Sequence, residues 1–146
     1  FVYIMTEYRE NTLDVDTYLG LRERVGWKKL TRAQAQKAID NSLYIVTAYI
    51  DGEPAGMGRI VGDGAVICYV QDLIVVPNTQ HNGVGSTILG MLKEYVAGIT
   101  ADGTEMMLDL MCAKGRETFY TGHGFIARPT EKLGPGMIQY IDKRNM

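Results

Sequence analysis

The stretch of this chain with the clearest chemical possibilities is Leu73-Ile74-Val75-Val76-Pro77-Asn78-Thr79-Gln80-His81-Asn82-Gly83-Val84-Gly85-Ser86, an apolar run leading through a polar loop into a helical pattern. Gly83 and Gly85 remove side chains where an anion would approach the backbone. The free amides of a first helical turn then meet that anion with a favourable dipole. A diphosphate is the natural guest. Two glycines before a helix also serve as an ordinary tight turn, so the surroundings must decide. A Walker loop requires Gly-Lys-Ser/Thr, which is absent, and a Rossmann fingerprint requires a third glycine or small residue near position 88, where Ile88 stands.

The elements around the loop follow from hydrophobic period and punctuation. Residues 14–25 place Val15, Tyr18, Leu19, Arg22 and Val25 at helical spacing and stop at Gly26. Thr31, with Gln34 three residues on, opens a second helix that ends near Asp40-Asn41. Residues 43–50 are rich in β-branched and aromatic types. Asp51-Gly52 turns the chain, residues 57–61 run back, and a long apolar run over 65–76 follows Gly62-Asp63-Gly64. This predicts a three-strand antiparallel meander. Residues 83–99 give the cleanest amphipathic helix. A strand over 105–111 follows, and strand, helix and strand in succession predict a parallel crossover bringing 104–111 alongside 69–76. A short helix over 115–121 and a strand over 137–142 close the pattern. The expected fold is α/β: one domain over 1–146, with a central mixed, mostly antiparallel sheet of six to seven strands and helices on both sides.

Bulk composition narrows the partners. A chain of 146 residues that is 46% hydrophobic can bury a core of its own. Its net charge of -2 gives none of the basic surplus that drives phosphate-backbone binding, so nucleic acid is not expected. No apolar run approaches the roughly 18 residues that cross a bilayer, so no membrane partner is expected and a soluble, cytoplasmic location is. Cys68 and Cys112 both fall in apolar stretches, which predicts buried, reduced thiols. His81 and His123 are too far apart in kind and place to suggest a metal.

Gln80-His81-Asn82-Gly83-Val84-Gly85 matches, at every defined position, the Gln/Arg-x-x-Gly-x-Gly/Ala signature of the GNAT (Gcn5-related N-acetyltransferase) superfamily, which the chain resembles. Leu73 to Pro77 looks like that family's strand and its usual proline. Phe119-Tyr120-Thr121-Gly122-His123-Gly124-Phe125 is similar to its later Phe-Tyr-x-x-x-Gly-Phe element. The resemblance covers about residues 43–142. It implies an N-acetyltransferase moving an acetyl group from acetyl-CoA to a primary amine, of a small molecule in preference to a protein, by direct attack. No metal is implied, and many relatives are homodimers. The rival reading is an acyl-CoA-binding sensor without turnover.

By the same resemblance, backbone groups of Leu73, Ile74 and Val75 would pair with the pantetheine arm. The amides of Gln80, His81, Asn82, Gly83, Val84, Gly85 and Ser86 would hold the pyrophosphate. Tyr120 would protonate the leaving thiolate, since a phenol of reference pKa near ~10 stays protonated at neutral pH. Family members often carry Glu or His on the strand before the loop, but Tyr69 and Gln71 stand here. Asp72 is the nearest carboxylate and a candidate base, or else a link to a helix, and alternation puts it on the opposite face from Tyr69 and Gln71 unless a bulge intervenes. Ala113 replaces an Asn that often meets the cofactor arm. Trp27, Tyr69 and Gln71 are the candidate acceptor-binding residues.

Overall fold

The computed structural model describes residues 4–79 and 83–146. Two compact units divide it, Phe1–Leu110 and Met111–Met146. The first unit holds strands β1 (Thr6–Glu10), β2 (Tyr44–Ile50), β3 (Glu53–Gly62), β4 (Ile67–Val75) and β5 (Met107–Asp109), with helices α1 (Val15–Arg24), α2 (Arg32–Asp40) and α3 (Val84–Ile99). The strands lie in sequence order in one sheet, antiparallel from β1 to β4, with β5 parallel to β4.

The helices begin and end where their capping groups dictate. Asp14 accepts a hydrogen bond from the Thr17 amide at 2.7 Å to start α1, and Thr31 Oγ1 accepts from the Gln34 amide at 3.0 Å to start α2. The end of α1 is a Schellman turn. Gly26, at φ 72°, donates to the Glu23 carbonyl, and Trp27 donates to that of Arg22. Asp51 (φ 50°) and Gly52 (φ 83°) form the left-handed pair that joins β2 to β3. Asp63 accepts three backbone amides, from Ala65, Val66 and Ile67, which tighten the β3–β4 turn and hold its carboxyl below the usual range.

The sheet is covered on both faces. Leu13, Val15, Tyr18 and Leu21 of the α1 region pack with Ala35 of α2 onto Ile45, Ala55, Met57, Ile74 and Val76. On the other face lies α3, which buries Val84, Ile88, Leu89, Leu92 and Val96. Glycines in β3 bring it close: a Cβ at Gly58 would stand 2.8 Å from both Ile88 and Leu92, and one at Gly56 would stand 2.6 Å from the Ile74 carbonyl oxygen.

Four expectations are corrected. Five strands form among the described residues, not six or seven, because 137–142 makes no strand, while Thr6–Glu10 does. Contact between β4 and β5 is shorter than expected and lies further back, pairing Ile67 with Met107, Cys68 with Leu108 and Tyr69 with Asp109. The last helix, α4 (Glu117–Thr121), is shorter than 115–121. Cys68 is buried but Cys112 is exposed, since β5 ends at Asp109 and no strand encloses the thiol.

Candidate active site

The feature that organises the first unit is the way β4 breaks its two ladders. Towards β3, Gln71 pairs with Arg59 and Ile74 with Met57, so Gly58 alone opposes both Asp72 and Leu73. This is a β-bulge, and Asp72 takes the left-handed conformation (φ 55°) that it requires. Asp and Asn tolerate that region better than other side-chain-bearing residues. The bulge answers the question of facing: Gln71 Nε2 donates to Asp72 Oδ1 at 3.2 Å, so the two project together. Leu73 turns the other way, toward Ile88 and Leu92 of α3 beside Gly58.

On its opposite edge β4 pairs with β5 only as far as Tyr69. From Val70 to Ile74 the strand has no neighbouring strand on that side among the described residues. A buried strand edge with no ladder calls for another partner for its amides and carbonyls. The ladder thus ends, together with β5 itself, at the Tyr69–Asp109 pair, the closed end of a fork whose open arm is the remaining β4 edge.

Beyond the open end of β4, a 3-10 turn at Pro77–Thr79 leads toward α3. Gly83 caps that helix in the left-handed conformation (φ 76°) and supplies no side-chain hydrogen bond. Among the described residues, the Thr87 amide donates to the Gly83 carbonyl, and the amides of Val84 and Gly85 precede that bond. An anion at this end would meet them and the positive end of the helix dipole. Gln80, His81 and Asn82 lie outside the described residues.

Asp72 is a junction. Its side chain is fully buried and accepts hydrogen bonds from the Tyr18 hydroxyl and Arg22 Nη1 (3.0 Å) of α1 and from Arg59 Nε (2.8 Å) of β3, besides Gln71. Burial, then the charge and hydrogen bond of Asp72, hold the Tyr18 phenol above its usual range. Arg22 also donates to the Lys28 carbonyl (3.0 Å), and its guanidinium lies 5.4 Å from the ring of Trp27. Trp27 keeps 39% of its surface exposed. Tyr69 and Gln71 are half-buried on the face of β4 that carries Asp72. The candidate acceptor residues thus share one side of the sheet around the Asp72 cluster.

In the second unit, Tyr120 lies edge-on to Phe119 (5.1 Å between ring centres) and to Phe125 (6.0 Å). Burial raises its phenol above the ordinary value, the Cys112 thiol adds to this, and Arg116 opposes it. The hydroxyl is held protonated. Among the described residues, no group of three or more His, Cys, Asp or Glu is placed to hold a metal ion, and no helix is long and apolar enough to cross a membrane.

One carboxylate was missed by sequence reasoning. Asp109 Oδ1 is buried and has no hydrogen-bond partner among the described residues. The signal available was a lone acid inside the otherwise apolar run Met106-Met107-Leu108-Asp109-Leu110-Met111.

A sheet whose fourth strand runs on past the end of its short parallel fifth, toward a helix with a glycine-capped start, is the architecture of the GNAT acyltransferases, and comparison with known proteins agrees. Residues 7–138 match the family model described as acetyltransferase (GNAT) domain, and the chain belongs to that family. Its fold is similar to that of a probable acetyltransferase from meticillin-resistant Staphylococcus aureus, at 28% identity and TM-score 0.81, covering 93% of this chain and 100% of that one. A GNAT-family acetyltransferase from Streptococcus pneumoniae gives 26% identity and TM-score 0.78, covering 97% and 100%. By sequence the chain is 25% identical over 134 residues to an uncharacterized N-acetyltransferase ycf52-like protein of Prochlorococcus marinus, covering 88% of this chain and 71% of the relative.

Proposed function

We propose that the protein is an acetyl-CoA-dependent N-acetyltransferase that acetylates a small primary amine by direct attack in a ternary complex. The observation that carries this reading is the fork between β4 and β5, which, among the described residues, leaves Val70 to Ile74 without a strand neighbour on the side away from β3. An extended arm bearing amides can complete that edge as a strand would, with its diphosphate at the amides of Gly83 to Ser86. The acetyl group then lies toward the closed end of the fork. Leu73 to Val75 supply the backbone partners, and a backbone amide of that segment serves as the donor to the oxyanion of the tetrahedral intermediate.

In this reading Asp72 positions rather than reacts. Four donors already occupy its oxygens, and they tie α1 and β3 to the bulge. Trp27, Tyr69 and Gln71 shape the acceptor side. Tyr120, held neutral, is the proton donor to the leaving thiolate. Tyr120→Phe is expected to lower turnover on the order of a hundredfold while leaving the dissociation constant for acetyl-CoA nearly unchanged. Steady-state rates beside calorimetric titration would show it, and equal rates in the two proteins would remove Tyr120 from the chemistry.

Thermal unfolding with acetyl-CoA, CoA, ATP and NADH in parallel tests the cofactor class. A ligand present at about 100 times its dissociation constant adds roughly 2.7 kcal/mol, enough to move the midpoint of a domain this size by several degrees. A rise with acetyl-CoA and CoA alone is the expected result. A rise only with ATP or NADH would overturn the proposal.

A further inference from the structure

We infer that Asp109 is the group that receives the acceptor's ammonium and takes its proton, an assignment that rests on the transferase reading above. In a parallel ladder, paired residues project their side chains to the same face, so Asp109 shares a face with its partner Tyr69 and, two residues on, with Gln71. That is also the face of the Asp72 cluster and α1. Tyr69–Asp109 is the last pair of the ladder, which sets Asp109 at the closed end of the fork, where the acetyl group is proposed to lie.

Asp109 is half-buried, and it is its enclosed Oδ1 that asks for a ligand. Among the described residues, three buried side-chain atoms lack hydrogen-bond partners: Arg22 Nε, Thr47 Oγ1 and Asp109 Oδ1. Arg22 has its other nitrogens bonded to Asp72 and Lys28, and Thr47 is neutral, whereas Asp109 alone is an acid with an unmet acceptor. A buried acceptor without a partner is destabilising, more so when charged, and a role in a reaction is one reason a fold retains one. An ammonium supplies the missing donor. Asp72, the fully buried carboxylate of this face, already has its donors.

The ammonium N–H bond breaks and its proton passes to Asp109 Oδ1, leaving the amine with its lone pair. That pair forms the C–N bond as the carbonyl π electrons move onto oxygen. The C–S bond then breaks with its electrons on sulfur, and the thiolate takes a proton from the donor role proposed for Tyr120. The second nitrogen proton returns to that donor through solvent, and Asp109 releases its own to bulk water. One proton is released for each amide and thiol formed.

The test uses the full chain with acetyl-CoA and a panel of primary amines comprising an aliphatic diamine, phenethylamine, a hexosamine and a lysine-containing tripeptide, read by thiol release. Asp109→Asn is expected to lower kcat by about 10²-fold or more, with the affinity for CoA retained. The deficit should shrink as pH rises, because bulk water then delivers the amine already neutral. Asp109→Leu, free of the buried acceptor, should unfold at the same temperature as the wild type or higher while being at least as inactive. Turnover by Asp109→Asn equal to wild type, or a deficit that does not change with pH, would overturn the assignment. So would a lowered midpoint for both variants, which would mean Asp109 is held by the fold. Failure of the wild type to bind CoA or to turn over any amine would count against the transferase reading itself, and the role of Asp109 would fall with it.

Discussion

Replacing Asp72 by alanine is expected to cost about 3–5 kcal/mol of folding stability, among the largest effects available to a single substitution in this chain. The carboxylate balances two guanidinium groups, those of Arg22 and Arg59, whose side chains retain only 12% and 11% of their exposure. Removing it leaves both cations buried beside each other without a counter-charge, which is far worse than losing a surface ion pair. The Tyr18 hydroxyl and the Gln71 amide lose an acceptor as well. Alanine must also occupy φ 55°, a region costing roughly 1–2 kcal/mol for such a residue. A fall of roughly 10 °C or more in the unfolding midpoint is the expected reading. Asp72→Asn separates the contributions, since asparagine tolerates the left-handed backbone and keeps the shape while discarding the charge. A loss below about 1 kcal/mol for the alanine variant would mean that the cluster does not hold α1 to the bulge.

Gly85→Glu carries the largest expected effect on binding: no measurable association with acetyl-CoA at concentrations that saturate the wild type. The substituted side chain would project from the first turn of α3, beside the amides of Val84 and Gly85 that precede the bond from Thr87 to the Gly83 carbonyl. There it would place bulk and a negative charge against an incoming diphosphate. The free protein should not suffer. Position 85 is helical, glutamate is a far better helix former than glycine, and an acid in the first turn interacts well with the dipole. The unliganded midpoint is therefore expected to stay level or rise, while the several-degree shift on adding acetyl-CoA disappears. Retained affinity would displace the diphosphate from this helix end.

The parts of the fold legible in the sequence are those fixed by local chemistry. The stops at Gly26 and Asp51-Gly52, the Thr31 cap and the long face of α3 stand where spacing and turn residues put them. β1 escaped because it is an edge strand, TEYRE, whose charged residues give no core-facing alternation. It is defined by pairing with β2, a partner about forty residues away, and pairing leaves little trace in a single sequence. The reverse error came at 137–142, where strand-forming residue types stand without a ladder, and Met137, Ile138, Tyr140 and Ile141 remain exposed. The candidate site divides in the same way. Glycines before a helix are visible as letters, whereas the bulge requires knowing that Gly58 opposes two residues. The isolation of Asp109 Oδ1 is likewise a property of what surrounds it in space.

The bulge in β4 also acts as a change of parity. In an uninterrupted strand, odd and even residues keep to their own sides of a sheet from end to end. Here Tyr69 and Gln71 share a side with Asp72, Ile74 and Val76, so the odd positions before the step and the even ones after it look toward α1. One strand can therefore present polar side chains to a reaction at its beginning and apolar ones to a core at its end, on a single surface. The step is carried by a single residue. A deletion at Asp72 would restore strict alternation with Gln71, Leu73, Ile74 and Val76 on the sides they now hold, at the loss of the carboxylate that joins α1 to β3. A one-residue deletion elsewhere in the strand would instead send every later side chain to the other side.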